Sequence, residues 1–227
     1  MDVPSALWAP VRWMAIHLLA FAGLLVTAWI VDWIYVSRVW PDGVAHLEGL
    51  LIGEVAALDA IDCWCQDLRG VSVGTANLLY GAIWEATGLL GMMVQMAEGG
   101  SLSVPDAISR QFFLENRELL RTLMVGTQLF GVRVGALVGV LPLMGLSLLV
   151  GLADGLSGRA VRRARGGAES AGTFHRMKYA FLLVGTTAIA AHVVPPERSA
   201  GTLPWLALAT ILCAVASCQA RYFRKGV

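Results

Sequence analysis

Apolar residues gather into long blocks along this chain, and polar residues fall between the blocks rather than alternating within them. A helix needs roughly 20 mostly apolar residues to cross a hydrocarbon core of about 30 Å. Four blocks meet or approach that length. The first runs from Trp13 to Val36, with Asp32 as its only charge. The second covers Val132–Ala153, with its approach beginning at residue 129. The third, Tyr179–Val194, is short and is ended by Pro195 and Pro196. The fourth runs from Leu203 to Tyr222. A fifth stretch, Ala76–Ala97, is interrupted by Glu85, Gln95 and glycines.

Charge decides between four spans and five. Lys and Arg in short loops stay on the cytoplasmic side. The loop 154–178 holds six of them, Arg159, Arg162, Arg163, Arg165, Arg176 and Lys178, against Asp154 and Glu169. The tail adds Arg221, Arg224 and Lys225. Counting back through four spans puts Arg12 on the same side, and leaves 37–128 outside with eleven acids against five arginines. A fifth span would place Arg12 or the basic loop on the wrong side. The stretch 76–97 is therefore expected as an amphipathic helix outside the bilayer, with a re-entrant or interfacial helix as the alternative. Ala20-Phe21-Ala22 resembles a signal-peptide cleavage site, but the apolar run continues well past it, so an uncleaved anchor is expected.

Composition agrees. The chain is 57% hydrophobic and 15% charged, with a mean hydropathy of +0.67, where soluble domains average about 25% charged residues. One core of this size cannot hide so much apolar surface. A net charge of +1 argues against a protein that binds DNA through bulk charge. The predicted fold is an all-α integral membrane protein. Its parts are a cytoplasmic start and first span (1–36), an external helical region (37–128), a second span (129–153), a basic cytoplasmic loop (154–178), a third span (179–194), a short external loop (195–202), a fourth span (203–222) and a cytoplasmic tail (223–227).

Within the external region, Val44, Leu47, Leu51, Leu58, Ile61, Cys65 and Leu68 follow a three-four helical spacing, which Glu54 breaks once. Such a stripe requires a helix to pack on. The partner is expected after Gly99-Gly100, capped by Ser103 with Asp106 at the capping-box position. It would run straight into the second span as one element of about 45 residues, or about 70 Å. Trp40-Pro41-Asp42-Gly43 reads as the turn that leaves the first span.

Few residues suggest chemistry. Cys63 and Cys65 face opposite sides of a helix, and no Cys or His pattern completes a metal site. The scattered His17, His46, His175 and His192 form no HExxH, and no GxSxG, P-loop or GxGxxG stretch occurs. No cofactor is expected. Gly131, Gly135 and Gly139 form a small-xxx-small face on the second span, serving contacts within the chain or with another subunit. Asp32 and Arg133 are expected to pair near the external ends of their spans, because charge at membrane depth is expensive. Glu85 reads as a solvated or lipid-surface residue rather than an ion site.

The basic loop is the most distinctive segment. Asp154, Gly155, Leu156, Arg159, Arg162, Arg163, Gly167, Glu169, Ser170, His175 and Lys178 stand in an ungapped pattern, with Arg176 beside them. It resembles the loop DGLxRRDLRRFGxGRESGFVYHxxK of the integrating conjugative element membrane protein family. Gly158, Ala160, Ala168 and Phe174 depart from that pattern, which removes two Arg and an Asp from any fixed salt-bridge network. Phe130–Arg133 is similar to the family's FFVRL, Trp40–Val44 to its WPEEGV turn and Ala220–Lys225 to its ASRFKK ending. The resemblance implies a four-span, non-enzymatic inner-membrane component of a conjugative type IV secretion system, encoded beside the coupling-protein ATPase. The expected partners are that ATPase or other membrane subunits, anionic lipid at the basic loop, and a second copy of the chain. Direct DNA contact is not expected. A small transporter or channel subunit is the competing reading, and an intramembrane enzyme a weaker third.

Overall fold

The computed structural model describes residues 5–59, 67–98, 104–166, 171–197 and 202–222. Cys63, Cys65, Ser103, Glu169, Ser170 and the basic tail beyond 222 lie outside them. Among the described residues the chain is helical and contains no strand. The α-helices are α1 (Ser5–Arg38), α2 (Val44–Asp59), α3 (Leu68–Tyr80), α4 (Leu89–Glu98), α5 (Val104–Glu115), α6 (Arg117–Ala164), α7 (Ala171–Val193) and α8 (Thr202–Arg221), with a π turn at Gly81–Glu85 between α3 and α4.

The 48-residue α6 is about 72 Å long, and the fold is arranged along it. Its first half takes α1, α2, α3 and the end of α7, and its second half takes the rest of α7 and α8. Chain directions follow from the contacts. Val36 meets Val125 and Leu129, and Phe21 stands edge-on to Phe130, so α1 runs antiparallel to α6. Val44 and Leu47 join Val125 and Leu129, while Leu58 joins Val132 and Ala136, so α2 runs parallel to it. α3 returns along the same face. α8 runs parallel again, with Cys213, Ser217 and Arg221 facing Gly151, Gly155 and Gly158 in order. Val193, at the end of α7, packs with Leu25, Ala28 and Phe130.

Among the described residues, three helices are long and apolar enough to cross a membrane: Pro10–Arg38, Arg117–Ala164 and Pro204–Arg221. The expected third span falls within α7, which is not among them.

Several boundaries differ from expectation. The external helix is interrupted once, at Asn116, before it runs on as α6 into the expected second span. α5 ends at Glu115, and Asn116 takes φ −106° before α6 begins, while its side-chain amide donates to the Phe112 carbonyl at 2.8 Å. The main-chain ladder nevertheless carries across it, from the Asn116 N–H to the Phe112 carbonyl and from the Leu120 N–H to the Asn116 carbonyl, each at 3.0 Å. The stretch 76–97 is not one helix either. The π turn interrupts it, and Gly88 takes φ 76°, a left-handed conformation that glycine adopts without a Cβ penalty. The basic loop is mostly helix: α6 continues to Ala164 and α7 starts at Ala171, and Gly166, at φ 72°, ends the long helix. The turn after α1 closes through the Gly43 N–H donating to the Trp40 carbonyl at 3.2 Å, with Gly43 at φ 55°.

Candidate functional site: a buried arginine beneath a helical hairpin

Small residues seat the α2–α3 hairpin on α6. A Cβ built on Gly131 would lie 2.5 Å from the Ala76 Cα, one on Gly135 would strike Ser72, and one on Gly139 would strike Leu68. The glycine face therefore lets two backbones touch. Its occupant is α3 of the same chain, so the face is not open to another subunit. Ser72 is fully buried there.

The expected Asp32–Arg133 pair is replaced by another. Arg133 is 1% exposed, and its Nη2 donates to Glu54 Oε1 at 2.9 Å. α2 carries Glu54 onto the face of α6 that holds Arg133. Asp32 lies against Gly126, with its Oδ2 2.6 Å from a Cβ built there. That is seven residues, about two turns, away along α6. Arg133 also reaches the end of α7. Its Nη1 donates to the Val193 carbonyl at 3.4 Å and to the Pro195 carbonyl, and its Nη2 donates to the Glu197 carbonyl at 2.7 Å. A cation at a helix C-terminus satisfies orphan carbonyls and opposes the helix dipole. One guanidinium thus ties α2, α6 and the α7–α8 connection together. His192 sits in the same corner, its ring against Trp205 at 4.5 Å.

A second junction lies above it. Thr127 is fully buried, and its Oγ1 accepts from the indole N–H groups of Trp29 at 3.2 Å and Trp84 at 3.1 Å. The same hydroxyl donates to the Leu123 carbonyl at 2.7 Å. The π turn aims Trp84 into this site; such turns often sit where a helix must redirect a side chain.

The other end of α6 carries the distinctive charged motif. The Asp154 carboxylate accepts from the Ser217 hydroxyl and from Arg221 Nη2 at 3.3 Å. Arg162 donates to the Arg221 carbonyl and lies 4.3 Å over the Tyr222 ring. Arg159 is buried, whereas Arg163, His175, Arg176 and Lys178 are exposed. His175 meets the Phe174 ring edge-on at 5.6 Å. Glu169 and Ser170 lie outside the described residues. The motif is thus a helical junction between α6 and α8 flanked by exposed basic groups.

Sequence reasoning missed four of these features. Glu54 had a signal, since it alone interrupts the apolar stripe of α2. Gly151 and Gly155 repeat the four-residue spacing of the first glycine face and press on α8 in the same way. Thr127 and Ser217 carried no local signal, because a lone hydroxyl in an apolar helix usually bonds its own backbone.

Among the described residues no group of three His, Cys, Asp or Glu is placed to hold a metal ion. No curated protein and no solved structure matches the chain. A family model described as IncC plasmid conjugative DNA transfer protein DtrJ-like matches residues 43–224. That stretch holds Glu54, the glycine face, Arg133 and the charged motif at Asp154, and the chain belongs to this DtrJ-like family of conjugative DNA transfer proteins.

Proposed function

We propose that this protein is a non-catalytic, four-span component of the bacterial inner membrane that assembles with the coupling-protein ATPase of a conjugative type IV secretion system. Family membership supports the role in DNA transfer. The observation that carries the membrane reading is the sorting of charge along α6. Arg159, Arg162, Arg163 and Arg165 stand at its C-terminal end, together with Arg221 of α8 and the start of α7 with Arg176 and Lys178. The antiparallel α1 brings Arg12 toward that end as well. Basic groups gathered on one side of apolar helices mark the cytoplasmic face, where they also attract anionic lipid. α7 serves as the remaining span and returns the chain outward. α2 and α3 then form a hairpin that runs beside residues 125–139 of α6, with both its ends on the outward side.

The buried ionisable groups suit scaffolding better than transport. Arg133 is committed to Glu54 and three carbonyls, which leaves it poorly placed to bind and release a solute. Apolar side chains along the helices stay exposed, Leu149 and Leu183 among them, and are available to lipid and to partner spans. The test is deletion of the gene in a conjugative donor, with detergent pull-down of the tagged full chain and mass spectrometry. Transfer should fall and recover on complementation, and the coupling ATPase should co-purify. Unchanged transfer together with absence of the ATPase from the pull-down would overturn the proposal. Reporter fusions after residues 40, 166, 198 and 225 test the four-span topology separately.

A further inference from the structure

Beside the Thr127 junction lies an apolar cavity of about 670 Å³ that no part of the proposed assembly uses. Four elements and the π turn wall it: Trp29 of α1, Trp84 of the π turn, Met93 of α4, Phe112 and Phe113 of α5, and Leu123 of α6, among other apolar residues. Its volume falls within the roughly 300–1,000 Å³ of small-molecule sites, and an apolar hole of roughly 150 Å³ already takes a benzene. There is room for one long hydrocarbon chain.

Three observations select the occupant. The polar hydrogens of the walls are spent, since both indole N–H groups donate to Thr127 Oγ1. An occupant therefore needs no hydrogen-bonding surface. The cavity adjoins the outward end of α1, where Val26 and Ile30, on either side of Trp29, are exposed; on the membrane reading they face lipid. The neighbouring α5 carries a cation, Arg110, whose Nε is buried without a hydrogen-bond partner. Arg110 stands three residues before Phe113, on the same face of the helix. A hydrocarbon tail beside a guanidinium with one unpaired N–H describes a phospholipid: the guanidinium matches phosphate geometry.

We infer that this cavity holds one acyl chain of an outer-leaflet phospholipid whose phosphate lies on Arg110. The inference rests on the membrane reading above. The lipid is a structural ligand, filling the space between α1, the π turn, α4 and α5 that the chain's own side chains leave open.

The test uses the full chain extracted from membranes in mild detergent, stripped of lipid and supplied with dioleoyl phosphatidylglycerol. Native mass spectrometry should show one adduct per chain. Leu123→Trp should cut the bound fraction roughly tenfold, equivalent to excluding about two methylenes. Met93→Trp should do the same by filling the opposite wall. Arg110→Gln should weaken retention and remove its salt dependence. Val150→Trp, on an exposed position of α6, should change nothing. Circular dichroism checks that each variant remains helical. The inference is overturned if wild type carries no adduct, if both wall variants bind as much as Val150→Trp, or if the cavity-dependent mass is a peptide or protein. Alkaline extraction of native membranes is the separate control. A chain released by carbonate overturns the membrane reading, whereas a retained chain without the adduct overturns only the lipid site.

Discussion

Gly131 and Ala76 stand so close that a Cβ on the glycine would lie 2.5 Å from the alanine Cα. The obstacle is backbone, which cannot swing aside as a long side chain can. Gly131→Val should therefore lift α3 from α6 and lower stability by at least the roughly 1–3 kcal/mol of an overpacked core. Gly145, with nothing within 4 Å of its built Cβ, is the control. Gly145→Ala should be neutral or stabilising by up to about 1 kcal/mol through helix propensity. Thermal unfolding of the two variants in detergent compares them directly.

Arg133 and Glu54 should behave as a coupled pair. Removing one member of a buried ion pair leaves an uncompensated charge and costs roughly 3–5 kcal/mol. Glu54→Leu and Arg133→Leu should each destabilise to that degree, with Arg133→Leu the worse because it also frees carbonyls at the end of α7. The double variant should be less destabilised than the sum of the two. Exchanging the residues should not restore wild type, since a carboxylate at 133 cannot donate to Val193, Pro195 and Glu197. Additive losses in that double-mutant cycle would show that the two side chains do not interact.

Thr127 serves two tryptophans with one oxygen. Thr127→Val keeps the shape and leaves both indole N–H groups unpaired, at a cost of roughly 1–3 kcal/mol for the buried Trp84 donor and less for the part-buried Trp29 donor. Trp84→Phe removes one donor and should be milder at this junction, apart from its lost packing. A Thr127→Ser variant, which retains the oxygen, should lie near wild type on the same unfolding curve.

Asp154 differs from these in being exposed, with 62% of its side chain accessible. Exposed ion pairs contribute about 0–1 kcal/mol, so Asp154→Asn should barely move the unfolding temperature. If the charged end of α6 contacts a partner, this variant should lower DNA transfer while the protein stays folded and abundant. Mating frequency measured beside an immunoblot of membrane fractions separates the two effects.

Much of this architecture was legible in the residues, for physical reasons that can be stated one by one. Apolar helices and turns are local: an apolar run fixes α1, and Trp40–Gly43 encodes its own reversal. The glycine face was legible as a close approach, but glycines name no partner. Nothing local distinguishes α3 from a neighbouring subunit. The Arg133 pairing failed because two carboxylates were available and membrane depth alone does not choose between them. Choosing required the register of α2 on α6, which the apolar stripe fixes and Glu54's place within it signalled. The basic segment is expected as a loop because it lies between two apolar runs and its charge marks the cytoplasmic side. Arginine is nevertheless a good helix former, and the helix ends only at Gly166, with its left-handed φ of 72°.

The arginine junction also imposes an order on biogenesis. Glu54 emerges from the ribosome 79 residues before Arg133, and the carbonyls that complete the junction follow 60–64 residues after that. A chain grows at about 5–20 residues per second, so several seconds separate the synthesis of Glu54 from that of Arg133. Its docking is therefore a late event, sealed only when the connection after α7 arrives. Truncations before Val193 should expose the α2–α3 hairpin to protease even though every residue of the hairpin and of its glycine seat is already present.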